Sequence, residues 1–202
     1  MKSVIELRKL FFACMVVGST VVLSSCSDDE DDKIPTPPSV TDVNGDYSGK
    51  MFTNPIKETE TFAENESVGT DVTATVKSDT VYFSDFPVTD LVTSIVGPDL
   101  APAIIEQLGK VSYKVGYEAT LNAAQDSIYM VYDPQPLKLE YLPAEDSDPI
   151  KVEVTVTASE KGSYELSSKK LNFDLNADKV TVAGIDFDKF VPTEFIFELN
   201  KE

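Results

Sequence analysis

The sequence predicts an all-β domain over residues 42–202: one antiparallel, meander-rich barrel or sandwich. Three observations carry the prediction. Apolar and polar residues alternate with period two, most clearly over 111–121 and 150–158, the pattern of a strand with one buried and one wet face. Short runs of Asp, Asn, Ser, Gly and Pro separate these segments, as turns do. About ten such segments follow one another over roughly 160 residues with no second proline-rich linker, enough chain for one hydrophobic core.

In the first strong strand, Val111, Tyr113, Val115, Tyr117, Ala119 and Leu121 alternate with Ser112, Lys114, Gly116, Glu118 and Thr120. In the second, Ile150, Val152, Val154, Val156 and Ala158 alternate with Lys151, Glu153, Thr155 and Thr157. Shorter versions stand at 72–76, 137–141, 171–175, 180–182 and 195–199. The denser apolar runs 81–86 and 128–132 fit strands buried on both faces. Turns are expected at 77–79, 122–126, 133–134, 146–149, 160–163 and 176–178.

One stretch, 88–109, breaks this rhythm and predicts a short two-helix insertion. Thr89 or Asp90 would cap the first helix, with Leu91, Val92, Ile95 and Val96 on one face and Gly97-Pro98 ending it. Asp99 would cap the second, with Leu100, Ile104 and Leu108 in line and Gly109 closing it. Two such helices either plug the open end of a β-core or form a lid over a pocket.

The N-terminus reads as an address. Lys2, Arg8 and Lys9 precede an apolar stretch over 10–23 and the small residues Ser24 and Ser25, which is the layout of a secretory signal peptide at 1–25. The apolar stretch falls short of the roughly 20 residues a spanning helix needs. Leu23-Ser24-Ser25-Cys26 resembles the lipobox of bacterial lipoproteins, which implies cleavage before Cys26 and lipid on its sulfur. Several acyl chains on one residue anchor firmly, at about 0.8 kcal/mol per buried methylene. Cys14 falls in the removed segment, so the mature chain keeps only Cys26 and forms no internal disulfide.

Residues 26–41 then read as a lipidated Cys followed by a solvated tether. Ser27, Asp28, Asp29, Glu30, Asp31 and Asp32 form a self-repelling acidic block, and Pro35, Pro37 and Pro38 favour extended backbone. An acidic block directly after the Cys resembles the export signal of surface-exposed lipoproteins in some Gram-negative anaerobes. That implies an outward-facing outer-membrane protein; the alternative is a plain spacer on a periplasm-facing one.

The whole chain carries −18, and from residue 42 on 29 acidic residues face 13 lysines, a net −16. Such a domain repels a phosphate backbone, which excludes nucleic acid as a partner. The chain has no His and no Trp, and its one Arg, Arg8, lies in the signal segment. The usual general base, the commonest zinc ligand, the thiol nucleophile and the bidentate phosphate fork are therefore missing from the domain. No catalytic residue, metal ligand or cofactor is assigned, and the expectation is a non-catalytic binding or structural protein of the envelope.

At the start of the domain Gly45-Asp46-Tyr47-Ser48-Gly49 gives a Gly-x-Tyr-x-Gly strand, and residues 81–88, Val-Tyr-Phe-Ser-Asp-Phe-Pro-Val, follow after a hairpin-like interval. Together they resemble the calycin-like, lipocalin-related domains of small bacterial lipoproteins. That resemblance implies a closed barrel and, as one alternative function, a carrier of an apolar ligand. Lipocalins have Trp where Tyr47 stands, and they lack the helical insertion.

Other constellations are few. Ser167-Ser168-Lys169-Lys170 has Ser-x-x-Lys spacing, but between strands and without companion motifs. Asp42, Asn44 and Asp46 alternate as in a calcium loop, yet the glycine stands at the fourth position and the closing Glu is absent; a turn into the first strand fits better. Asp146 and Asp148 would be loop ligands for stabilising calcium. A glycan-binding or carboxylate-based glycan-processing role would need exposed tyrosines among Tyr82, Tyr113, Tyr117, Tyr129, Tyr132 and Tyr141, or two facing acids. The strand acids Glu118, Glu140, Glu153, Asp174 and Glu198 fall on the polar phase and are expected in solvent.

Overall fold

The computed structural model describes residues 36–56, 69–144, 146–158 and 160–202. A short 3-10 turn (Val40–Val43) leads into β1 (Gly45–Pro55), β2 (Thr70–Lys77) and β3 (Thr80–Phe83). Helices α1 (Thr89–Val96) and α2 (Ala101–Leu108) follow, then β4 (Tyr113–Leu121), β5 (Ser127–Pro134), β6 (Leu137–Tyr141), β7 (Ile150–Thr157) and β8 (Gly162–Glu165). The chain ends with β9 (Lys170–Val182), the short β10 (Ile185–Asp186) and β11 (Thr193–Lys201). Among the described residues no helix is long and apolar enough to cross a membrane.

The strands close into an antiparallel barrel. The ladder runs β11-β1-β2-β3-β4-β5-β8-β9, and β9 returns to β11 over a register from Lys170↔Asn200 to Ala177↔Thr193. Closure leaves no free edge around this ring. β7 and β8 both pair with β9, while β6 pairs with β7, so a two-strand flap extends beyond the barrel wall. The hairpin between β2 and β3 turns on Ser78 and Asp79, both at positive φ (49° and 54°), as a two-residue type I′ loop requires.

Period-two alternation does the sorting. Inward positions hold Tyr47, Met51, Phe83, Tyr132, Phe173 and Phe197, all buried. Tyr132, Phe173, Phe197 and Phe83 form a continuous aromatic column. Tyr132 stacks on Phe173 with centroids 4.7 Å apart, Phe173 on Phe197 at 4.5 Å, and Phe197 meets Phe83 at 5.3 Å. Phe86, from the loop after β3, inserts at one end against Phe83, Tyr113 and Phe195. Near the start of β1, the buried Val43 of the 3-10 turn takes the Tyr47 hydroxyl on its carbonyl.

Both helices pack apolar residues against the core. Leu91 and Val92 of α1 are buried, and Ile95, Ile104 and Leu108 meet Leu139 and Val152 of the flap. Neither helix has a side-chain cap: their first turns follow Val88 and Leu100, not Asp90 or Asp99. Pro102 stands second in α2 instead, in the first turn where its missing N–H costs nothing. Gly97 and Gly109 end the two helices as expected.

Four local expectations are corrected. The turn expected at 133–134 lies inside β5, where Asp133 and Pro134 pair with Gly116 and Val115, and the chain breaks only at 135–136. The turn expected at 176–178 lies inside β9, a single strand of 13 residues; Ala177 is buried, and Thr157 donates a hydrogen bond to Asp178 where β7 shifts register. The long-range ladder overrides the local Asn-Ala-Asp turn preference. The runs 81–86 and 128–132 are not buried on both faces, since Tyr82, Tyr129 and Val131 are exposed on the outer wall. The segment 160–163 also holds more than a turn, because β8 starts at Gly162. A Cβ there would meet Tyr132 at 2.6 Å and Phe173 at 2.7 Å, so Gly162 is packing-driven.

Candidate functional site

Alternation that sends apolar side chains inward also lays a row of polar ones across the outer wall of β1 to β4. Asp46 stands opposite Thr75, Thr75 opposite Tyr82, and Tyr82 opposite Lys114. The Thr75 hydroxyl donates to the Asp46 carboxylate at 2.7 Å. The Lys77 ammonium lies 5.2 Å from the Tyr82 ring centroid, within cation–π range. Where β5 runs into β6, the Tyr113 hydroxyl donates to the Gln135 carbonyl at 2.7 Å and holds residues 135–138 as a bank beside β4.

The result is an open groove of about 830 Å³, within the usual range for ligand sites. Its walls carry Thr73, Thr75, Ser84, Ser112 and Gln135 as hydrogen-bonding groups, Lys77, Lys114 and Lys138 as cations, and Asp46 and Glu202 at one end. Lys138 lies 3.6 Å from Glu153 across β6–β7. Among the described residues, neither Lys77 nor Lys114 makes an ion pair. Tyr82 is 36% exposed and presents its ring to the groove.

The six tyrosines weighed as a stacking platform divide by phase. Tyr113, Tyr117 and Tyr132 are buried core, Tyr141 is half-buried, and Tyr82 and Tyr129 are exposed. Burial raises the phenols of Tyr113 and Tyr132, and it pushes Tyr117 up to about 12 with help from the Asp79 charge. Only Tyr82 of the six joins the groove by its exposed ring. Lys77, Lys114 and Lys138 were not singled out in the sequence; their signal is their place on the polar phase beside Tyr82.

The acids divide as well. Glu118, Glu140, Glu153 and Glu198 are exposed, as expected, but Asp174 is half-buried. Burial and the nearby Glu160 raise its carboxyl, and burial, Asp174 and Glu160 raise Glu194. Asp174 opposes Ile196 and Glu194 opposes Asn176, so the two acids are diagonal neighbours on the β9–β11 wall, outside the groove.

Asp42 accepts the Ser39 N–H at 2.9 Å while Asp46 binds Thr75, so the two acids of the calcium-like spacing are engaged separately. Asp146 and Asp148 are exposed in the β6–β7 loop. In the Ser-x-x-Lys stretch Ser168 bonds Glu165 in the turn before β9, and Lys170 starts that strand. Among the described residues no three Cys, Asp or Glu side chains gather as a metal site would require. Cys26 and the acidic block 27–32 lie outside the described residues.

No curated protein and no solved structure matches the chain significantly. One family does, over residues 42–182, from the turn before β1 to the end of β9 and including all three strands that carry Thr75, Tyr82 and Lys114. On that match over more than two thirds of its length, the chain belongs to the family described as a domain of unknown function, DUF4840.

Proposed function

We propose that this chain is a lipoprotein anchored through Cys26 in the outer membrane, facing outward, whose calycin-like barrel serves as a non-catalytic glycan-binding module. The observation that carries the binding role is the groove around Tyr82: an exposed aromatic ring flanked by hydroxyl, amide and ammonium groups. Such a ring offers a sugar an apolar face, and the surrounding polar groups satisfy its hydroxyls. The lipobox-like Leu23-Ser24-Ser25-Cys26 and the acids at 28–32 support the anchor and its direction.

The carrier alternative places its ligand inside the barrel, where Tyr132, Phe173, Phe197 and Phe83 stack. That packing favours the outer groove as the binding surface. A non-catalytic role fits a domain without His, Arg or Trp, one of whose two groove acids, Asp46, is engaged by Thr75.

Titration of oligosaccharides into the purified full-length chain in detergent tests the binding role. Tyr82→Ala is expected to weaken binding about 5- to 10-fold, the equivalent of losing about 1 kcal/mol of stacking. Unchanged affinity would remove the groove from consideration. Protease shaving of intact cells tests the orientation: the domain should be released, and alanine replacement of residues 28–32 should abolish release.

A further inference from the structure

We infer that the groove selects an acidic glycan of low charge density, a short oligosaccharide with isolated carboxylates, and holds it in one direction. This rests on the glycan-binding reading above and adds the ligand's charge and orientation. The domain is strongly anionic, with 13 lysines against 29 acids, yet three of those lysines converge on one groove. Lys77 sits over the Tyr82 ring, Lys114 stands directly across from Tyr82 on β4, and Lys138 lines the opposite bank.

The spacing argues for separated charges. Asp46, Thr75, Tyr82 and Lys114 occupy four neighbouring strands, so the row spans three strand separations, about 14 Å. Lys77 rises from β2 beside Thr75 and brings its ammonium over Tyr82, Lys114 stands one strand further on β4, and Asp46 on β1, whose carbonyl accepts the Glu202 N–H, closes the other end. A carboxylate would therefore lie toward Lys114, which makes no ion pair among the described residues, and an uncharged sugar unit would lie over Thr75 at the Asp46 end. Thr73, Thr75, Ser84 and Ser112 supply the hydroxyl partners between them.

The type of cation narrows the ligand further. Lysine is a point charge suited to a single carboxylate, whereas a phosphodiester backbone is best gripped by the bidentate guanidinium that this domain lacks. The net −16 also repels dense polyanions at long range, while a sparsely charged oligosaccharide meets chiefly the local lysines within a Debye length.

The test titrates the full-length chain in detergent with an aldotriouronic acid, one glucuronic acid on xylobiose, with its uncharged methyl ester, with a short single-stranded DNA and with polyglutamate. The acid should bind at least 10-fold more tightly than the ester. Lys77→Gln and Lys114→Gln should each cost the acid 3- to 10-fold and the ester less than 2-fold, while Tyr82→Ala weakens both. If the ester binds as tightly as the acid and still depends on Tyr82, the charge inference fails and the glycan reading stands. If neither sugar binds, the glycan reading itself fails. Tighter binding of DNA or polyglutamate than of the aldotriouronic acid would overturn the choice of ligand class.

Discussion

Replacing Gly49 by alanine should open the barrel seam between β1 and β11. Gly49 pairs with Leu199, and a Cβ on it would lie 2.1 Å from the Glu198 carbonyl oxygen and 2.9 Å from the Leu199 Cα. Both contacts are backbone, so no side chain can swing away. Ordinary contact begins near 3.4 Å, which requires the strands to part by about 1.3 Å. An N–H···O bond stretched that far is broken.

Losing two flanking ladder bonds at the edge of a packed core costs about 2–4 kcal/mol. The strand preference for Ala over Gly offsets about 0.5–1 kcal/mol of this. At about 3 °C per kcal/mol for a domain of this size, the melting midpoint should fall by about 3–10 °C. Hydrogen exchange should accelerate at Lys50 and Leu199 before it does so in β4. Gly116→Ala is the control: its Cβ would meet only the Asp133 carbonyl oxygen, at 3.6 Å, so stability should hold or rise slightly. If Gly49→Ala matched Gly116→Ala within 0.5 kcal/mol by urea denaturation, close strand approach would not be the reason for this glycine.

Three further predictions follow from the core and the walls. Phe173→Ala removes the ring shared by the Tyr132 and Phe197 stacks and should cost about 3–5 kcal/mol in urea denaturation; a loss below 1 kcal/mol would mean the column is not the stabilising core. Asp174 and Glu194 have raised folded-state carboxyl pKa values, so the native state binds more protons than the unfolded one just above the ordinary carboxylate range. Stability therefore falls as pH rises through that window and the penalty persists at neutral pH. Asp174→Asn and Glu194→Gln should each add up to about 0.5 kcal/mol at pH 7, discounted for solvent screening, and nothing at pH 3; equal effects at both pH values would refute the electrostatic cause. In a spectrophotometric titration, Tyr47, Tyr113, Tyr117, Tyr132 and Tyr164 should ionise above the ordinary phenol range, because burial raises all five. Early ionisation of Tyr132 would contradict its place in the stacked column.

Much of this protein was legible in its residues one strand at a time. The alternation at 111–121 and 150–158 put Val115 and Val154 inside and Lys114 and Glu153 outside, and the structure agrees for all four. Even the segment 137–141 has the bounds of β6. The helical insertion was readable because Gly97 and Gly109 mark its stops, whereas its starts were misplaced because Asp90 and Asp99 resemble caps that the backbone does not use.

By itself, then, the sequence determined an anionic, His-free, all-β domain, the face each side chain takes within its own strand, and an N-terminus resembling a lipoprotein address. Alternation is a local property: neighbouring side chains on a strand must point to opposite faces whatever lies beside them. Tertiary structure alone decided that the sheet closes through β9 and β11, and that Asp46, Thr75, Tyr82 and Lys114 stand side by side. The reason is register: which residues adjoin across strands depends on long-range pairing that single-strand periodicity does not encode, so the strands could be read in advance and the groove could not.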